Sequence, residues 1–228
     1  MIKFWLNQTT IDESGFFLAR SDTTKKVTRI QREKIDVILE AALDIFSNHG
    51  FRGATIDMIA KQANLSKSNI LYYFDSKDDI HSALLSKLLD KWLEPLKVIS
   101  ATGDPVDEIC SYVEHKLDMA RIYPRESRLF ANEILQGAPR ILKVLSGPLK
   151  ELADQKAEII NSWINSGKIM PINPYHLIFS IWATTQHYAD FDVQIQAVMG
   201  NKNSDIHFAD AKSYLKLLFT RLLEPKAV

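Results

Sequence analysis

Between Ile30 and Ser76 three of the hydroxyl residues, Thr55, Ser66 and Ser76, stand about ten residues apart and each just ahead of a fresh run of helix-forming residues. A serine or threonine in that place accepts a hydrogen bond from an orphan N–H of the first helical turn, so each marks a helix start. The spacing leaves room for about two turns between successive starts, which excludes both a continuous rod and a sheet. Upstream, Ile35, Ile38, Leu39, Ala42, Ile45 and Phe46 recur at helical spacing with Gln31, Glu33, Lys34, Glu40 and Asp44 between them, predicting an amphipathic helix. It stops at Asn48-His49-Gly50, where glycine takes the left-handed conformation and Phe51 folds back over the last turn. A second helix follows to about Gln62, then a tight turn at Ala63-Asn64-Leu65, a third helix from Lys67 to Phe74, and a fourth from Lys77 with Asp78 and Asp79 at its positive end. Three short helices so spaced form the pattern of a DNA-binding helix-turn-helix module.

Downstream the helical periodicity continues over about 77–99 with a bend near Pro95, 106–122, 125–136, 139–166 bent at Pro148, 174–190 and 204–223. No segment alternates with period two for long, so the expected fold class is all-α. The organisation read from the sequence is a 1–24 extension, a three-helix DNA-binding domain over 25–76 and a larger helical domain over 77–228. For the extension, an arm, an added strand and a disordered leader all stay open.

Lys plus Arg and Asp plus Glu are 28 each, so the whole chain has no field to draw it onto a polyanion, and any nucleic-acid surface must be local. Residues 20–34 offer one, with Arg20, Lys25, Lys26, Arg29, Arg32 and Lys34 against Asp22 and Glu33. The plainer reading of that stretch is a solvated leader. Cys110 stands alone, which rules out an intrachain disulfide and suits a reducing compartment. Charges at Lys3, Asp12, Glu13 and Arg20 break up any signal-peptide core, and no uncharged run approaches the ~20 residues of a membrane span. A cytoplasmic protein is expected.

In a helix-turn-helix one helix crosses the DNA backbone and the next presents short polar side chains to the major groove. Lys67, Ser68 and Asn69 form the exposed start of that second helix and are assigned to base edges, with Tyr72 and Tyr73 reaching phosphate or base and Ile70 and Leu71 anchoring the helix inward. Thr55 and Lys77 stand at helix N-termini, where N–H groups and the positive dipole end favour phosphate oxygens, so both are assigned to backbone positioning. Asn64 fills a turn position where glycine is commoner, and asparagine tolerates the left-handed conformation. The plainer alternative is that the aromatic residues are core, which is expected of Phe74.

The run Phe46-Ser47-Asn48-His49-Gly50-Phe51-Arg52-Gly53-Ala54-Thr55, with Ile59-Ala60, Leu65-Ser66-Lys67 and Tyr72-Tyr73-Phe74-Asp75-Ser76-Lys77, resembles the DNA-binding domain of the TetR family. The resemblance covers about fifty residues without a gap, departing from the family pattern at Asn64 and Leu71. It implies a dimeric repressor of palindromic operator DNA with a helical domain for ligand binding and dimerisation. Trp92-Leu93-x-Pro95-Leu96-Lys97, Ser127-Arg128-Leu129-Phe130, Gly137-Ala138-Pro139 and the segment from Pro174 to Phe191 are further similar to the pyrimidine-utilisation repressors within that family, which implies uracil or thymine as effector.

On the helix over 174–190, Ile178, Ile181, Trp182, Thr185 and Ala189 share a face, with Gln186 and Asp190 beside it. An amide such as Gln186 matches the donors and acceptors of a uracil ring, and Trp182 or Trp92 suits stacking on it, so Trp92, Trp182, Thr185, Gln186 and Asp190 are the candidate ligand residues. The alternative makes Trp182 core and Gln186 a dimer contact. Leu215, Leu218 and Leu222 are expected to face a symmetry mate in a four-helix interface.

Catalysis finds little support. His187 and Asp190 lie one turn apart but without a His-Glu-x-x-His pattern, and His115, five residues from Cys110, lies about 140° round the helix from it. No glycine-rich phosphate loop follows a strand, so neither an enzyme, a metal nor a cofactor is expected. The remaining alternatives are a regulator of the same family answering an unrelated small apolar ligand, and a helical protein–protein adaptor.

Overall fold

The computed structural model describes residues 10–11, 17–18, 28–200 and 204–225. Of the extension, β1 (Thr10–Ile11) and β2 (Phe17–Leu18) pair antiparallel in the register Thr10 with Leu18 and Ile11 with Phe17. The basic residues Arg20, Lys25 and Lys26 lie outside the described residues. Everything else described with regular structure is helical, and the chain divides into two compact units, 1–85 and 86–228.

In the first unit α1 (Arg29–Gly53) opens on a capping box: Gln31 N–H donates to the Thr28 hydroxyl, and Thr28 N–H donates to the Gln31 side-chain oxygen. Its buried face is Ile38, Leu39, Ala42 and Phe46, as the periodicity requires. The helix kinks at Gly50, whose φ of 65° is the left-handed conformation, and Phe51 then turns back to stack on Phe46 at 5.9 Å between ring centroids. His81 meets both rings edge-on. Helices α2 (Ile56–Gln62) and α3 (Lys67–Tyr73) follow, and the opening of α4 (Lys77–Lys97) belongs to this unit through Leu85, beyond the boundary at residue 76 expected from the sequence. His81, buried there, packs edge-on against Phe46 and Phe51 of α1 and ties the start of α4 to this unit.

The second unit is arranged about α5 (Pro105–Ile122), capped by the Asp104 carboxylate, which accepts from the N–H groups of Val106 and Asp107. α5 packs against α9 (Pro174–Asp190) and α11 (Ser204–Leu223), with α6 (Pro124–Leu135) on α9 and α8 (Lys150–Asn165) on the far side. Leu96, Ile109, Val113, Leu117, Ile160, Trp163, Leu177, Ile181, Leu215 and Phe219 fill the interior between them. Leu215 therefore belongs to this core, at 1% exposure, and not to an outer interface; the outward face of α11 is Tyr214, Leu217 and Leu218.

Two elements differ from expectation. The helix expected over 139–166 is instead the short α7 (Leu142–Val144), a single wide π-turn over Leu145–Leu149 and then α8. Pro148 has no N–H to give and its ring crowds the preceding turn, so the ladder widens there. Ahead of α7 the loop is clamped by Glu133, buried beneath it, whose carboxylate accepts from Arg140 N–H and from its guanidinium. Between the expected helices over 174–190 and 204–223 a further one, α10 (Asp192–Met199), forms. It buries none of its residues, which is why no apolar stripe announced it.

Gly50→Ala is expected to lower stability by about 1 kcal/mol in urea unfolding: a Cβ at this position meets nothing within 4 Å, so the cost is the left-handed backbone alone.

Candidate functional site

α2 and α3 are joined by a turn whose backbone is fully accounted for. Ala63 N–H donates to Ile59 C=O, Leu65 N–H to Ala60 C=O, and Asn64 sits at φ 52° with its N–H on Lys61 C=O. Thr55 caps α2 by accepting from Met58 N–H at 3.2 Å, and Ser66 caps α3 by accepting from Asn69 N–H at 3.2 Å. Along α3, Ile70 is fully buried and Phe74, one turn on, lies beneath it in the core. Leu71 is 42% exposed: it sits about 100° round the helix from Ile70 and is not an inward anchor as the sequence led one to expect.

The opposite side of α3 is open to solvent. Lys67, Ser68, Asn69 and Tyr72 are exposed, Tyr72 at 66%, and Tyr73 is half-buried with its ring edge-on to Tyr72. Lys34 of α1, Leu65, Asn69, Tyr72 and Tyr73 line an open groove of about 390 Å³. The position of Lys34 one groove wall away from Tyr72 and Tyr73 is a tertiary fact that no local pattern carries. Four of the expected DNA residues are engaged within the unit: Thr55 as the α2 cap, Ser68 through its hydroxyl on that of Ser66 at 2.9 Å, and the two lysines. Lys67 Nζ lies 2.8 Å from Asp57 on α2, an exposed pair of small net strength. Lys77 Nζ donates to the carbonyls of Phe51 and Ala54, both at 2.7 Å, and rests over the Phe51 ring, so its side chain ties the link between α1 and α2. Ser76 caps the start of α4 by accepting from Asp79 N–H.

In the second unit, of the face expected on α9, Ile178, Ile181, Thr185 and Ala189 are buried and Trp182 is half-buried, while Leu177 joins the buried side. The five candidate ligand residues do not share one condition, however. The Thr185 hydroxyl donates to Ile181 C=O of its own helix at 2.7 Å, and Trp182 Nε1 donates to Tyr112 Oη at 2.7 Å. Gln186 is half-buried. Trp92 is buried with its Nε1 lacking a hydrogen-bond partner, and Asp190 accepts from the Ser127 hydroxyl at 2.6 Å.

Beside Trp92 and Asp190 stands Lys116 of α5, a residue the sequence reading passed over. It is 5% exposed, its Nζ 5.1 Å from the centroid of the Trp92 ring. Burial pushes its ammonium down to about 8, with Asp190 opposing the shift. Burial likewise raises the Asp190 carboxyl, held back first by the Ser127 hydroxyl and then by the charges of Arg128, His187 and Lys116. A signal for Lys116 was available: it falls in the apolar register of Ile109, Val113 and Ala120 on α5, where a charge has no business unless it serves something.

Cys110 lies against the Thr220 hydroxyl and the Lys216 carbonyl, while His115 bonds Ser111 C=O, so the two are not a nucleophile pair. Among the described residues no group of three His, Cys, Asp or Glu side chains is placed to hold a metal, and no helix is long and apolar enough to cross a membrane.

Residues 38–84 match the family description "Bacterial regulatory proteins, tetR family", and residues 85–226 match "YcdC-like protein, C-terminal region". The chain is similar to the HTH-type transcriptional regulator RutR of Escherichia coli strain K12, at 49% identity over 178 residues, covering 78% of this chain and 84% of the relative. Among solved structures it resembles a TetR-like transcriptional regulator from Rhodococcus sp. RHA1, with a TM-score of 0.62 and 21% identity over 86% of this chain and 97% of that one. It also resembles AibR, solved in complex with isovaleryl coenzyme A and operator DNA, with a TM-score of 0.62 and 17% identity over 84% of this chain and 99% of that one.

Lys116→Met is expected to stabilise the protein by about 1–3 kcal/mol at pH 7, read by urea unfolding on tryptophan fluorescence. The ammonium releases its proton near pH 8 in the folded chain and near 10.5 in the unfolded one. Between those values the unfolded state binds more protons, so the wild type gains stability as pH rises and the advantage of the variant shrinks.

Proposed function

The chain belongs to the TetR family of bacterial regulatory proteins, and on that premise we propose that it is a cytoplasmic repressor which binds a palindromic operator as a dimer and releases it on binding uracil or thymine. Family members are DNA-binding transcriptional regulators that work as dimers under small-molecule effectors, and not enzymes. The observation that carries the DNA reading is the solvent-facing side of α3, where Lys67, Ser68, Asn69 and Tyr72 stand together on a helix seated by Ile70. Short polar side chains at a helix start reach base edges in a major groove, and tyrosine hydroxyls and capped N-termini meet phosphates. Thr55, Tyr73 and Lys77 are assigned to the phosphate backbone, Lys77 through the N-terminus of α4, since its ammonium is occupied. Lys34 joins them from α1.

For dimerisation, Tyr214, Leu217 and Leu218 present an apolar strip on α11, suited to a two-fold contact with a symmetry mate. Such a dimer sets two copies of α3 about 34 Å apart, one helical turn of DNA. The effector is assigned to the surroundings of Trp92, Trp182, Thr185, Gln186 and Asp190, supported by the 49% identity to RutR and by the polar interior about Trp92 and Asp190. Effector binding biases the population away from the spacing that fits DNA.

Fluorescence anisotropy on labelled operator tests both halves. Lys67→Ala and Tyr73→Phe are expected to weaken operator binding about tenfold, roughly 1.4 kcal/mol each, with the dimer intact by light scattering; normal affinity in both removes the reader assignment. Uracil and thymine are expected to release wild-type protein from operator while unrelated small molecules do not. Release by neither pyrimidine removes the effector assignment and leaves the reader standing.

A further inference from the structure

Lys67 opens α3, and its Nζ lies 2.8 Å from Oδ2 of Asp57 in the first turn of α2. The two residues stand on either side of the turn through Asn64, and both side chains are exposed. An acid in a first helical turn suits the positive end of its own helix, which accounts for Asp57 as a part of α2. That end of α2 is also the one assigned to the phosphate backbone through Thr55, where a fixed negative charge opposes DNA. A carboxylate kept there, and reaching across the turn to the leading cation of the next helix, has a use that helix stability does not supply. Lys34, on the groove wall, pairs with no carboxylate among the described residues, so the cations of this face are not all held alike.

An unheld lysine is a poor judge of sequence. Its ammonium is a point charge on a flexible stem, and phosphates, present at every step of any duplex, are its strongest partners. With a carboxylate 2.8 Å away the choice of partner changes. A phosphate approaching Nζ brings its own charge against Asp57 and has to displace it. The O6 and N7 atoms of a guanine are neutral acceptors, which the remaining ammonium hydrogens reach with the ion pair still closed. We propose that Asp57 is a specificity-determining residue of the DNA reader, holding the Lys67 ammonium for the neutral acceptors of a base edge and withholding it from phosphate. The inference rests on the DNA reading above and deepens it, giving the base contact of Lys67 a positioning partner on the preceding helix. It also divides the work of two lysines, Lys67 to a base edge and Lys34 to the backbone.

The effect falls on random duplex. There Lys67 contributes little while Asp57 holds it, and freeing it adds one phosphate contact. On the recognised sequence the ammonium bonds a base with or without Asp57, so that affinity moves little. What Asp57 controls is the ratio of the two affinities, the quantity on which discrimination among many sites depends.

A duplex selected from a random pool by the wild-type protein, and a random-sequence duplex of equal length, are titrated by fluorescence anisotropy over a series of salt concentrations. The full-length chain is compared with Asp57→Asn, Lys67→Ala and the double variant. Asp57→Asn is expected to tighten random-duplex binding about tenfold at about 0.1 M salt and to steepen its salt slope by about one phosphate contact. Its affinity for the selected duplex is expected to change less than about threefold. Asp57 is exposed, so the variant is expected to fold as the wild type does. In the Lys67→Ala background the same substitution is expected to leave the ratio unchanged, because the residue through which Asp57 acts is gone. A ratio that falls by less than about threefold in Asp57→Asn, or a fall that persists without Lys67, overturns the proposal and leaves the DNA reader standing. Failure of the wild type to select any duplex overturns the proposal together with the DNA reading.

Discussion

The exposed face of α3 depends on one backbone constraint, the left-handed residue at Asn64. With φ at 52°, the chain after α2 reverses within three residues and closes the two hydrogen bonds that finish that helix. Ser66 then arrives in extended conformation to cap α3, and the direction of α3 follows from that cap. Ile70 and Phe74 pin the helix inward, and the residues a third of a turn away have nowhere to go but solvent. The places of Asn69, Tyr72 and Tyr73 in the groove are thus a consequence of that turn, with Lys34 of α1 forming the other wall.

The same chain of local causes explains how much the sequence revealed. Caps and stops act over three or four residues, so Thr55, Ser66, Ser76, Gly50 and Asn64 located four helices before any packing was considered. What escaped depends on burial that is decided elsewhere in the fold. Leu71 and Leu215 are the same residue type at helical spacing, yet one faces solvent and the other the core, because only the neighbouring helices determine which arc of each helix is covered. α10 escaped for the opposite reason, having no covered arc at all. Of the candidate ligand residues, the spacing on α9 put Thr185 and Trp182 on one arc of the helix but could not tell that their polar atoms are satisfied within the protein.

Lys116 departs from what stability alone asks of α5. A methyl-rich residue at that position would pack with Ile109, Val113 and Leu117 without the penalty of a desolvated ammonium. Its neighbours soften the penalty without cancelling it, since the aromatic face of Trp92 is a weak partner and Asp190 is itself partly desolvated. Local conflict of this kind, in a helix whose other positions agree with the fold, belongs to sites under a demand other than stability.

The exposed pair of Lys67 with Asp57 holds the cation at the start of α3 against a carboxylate of α2, so the positive potential there is partly cancelled within the chain. A contact of such small net strength is given up readily to a competing anion, which makes the charge at the start of α3 conditional on what lies against it rather than fixed.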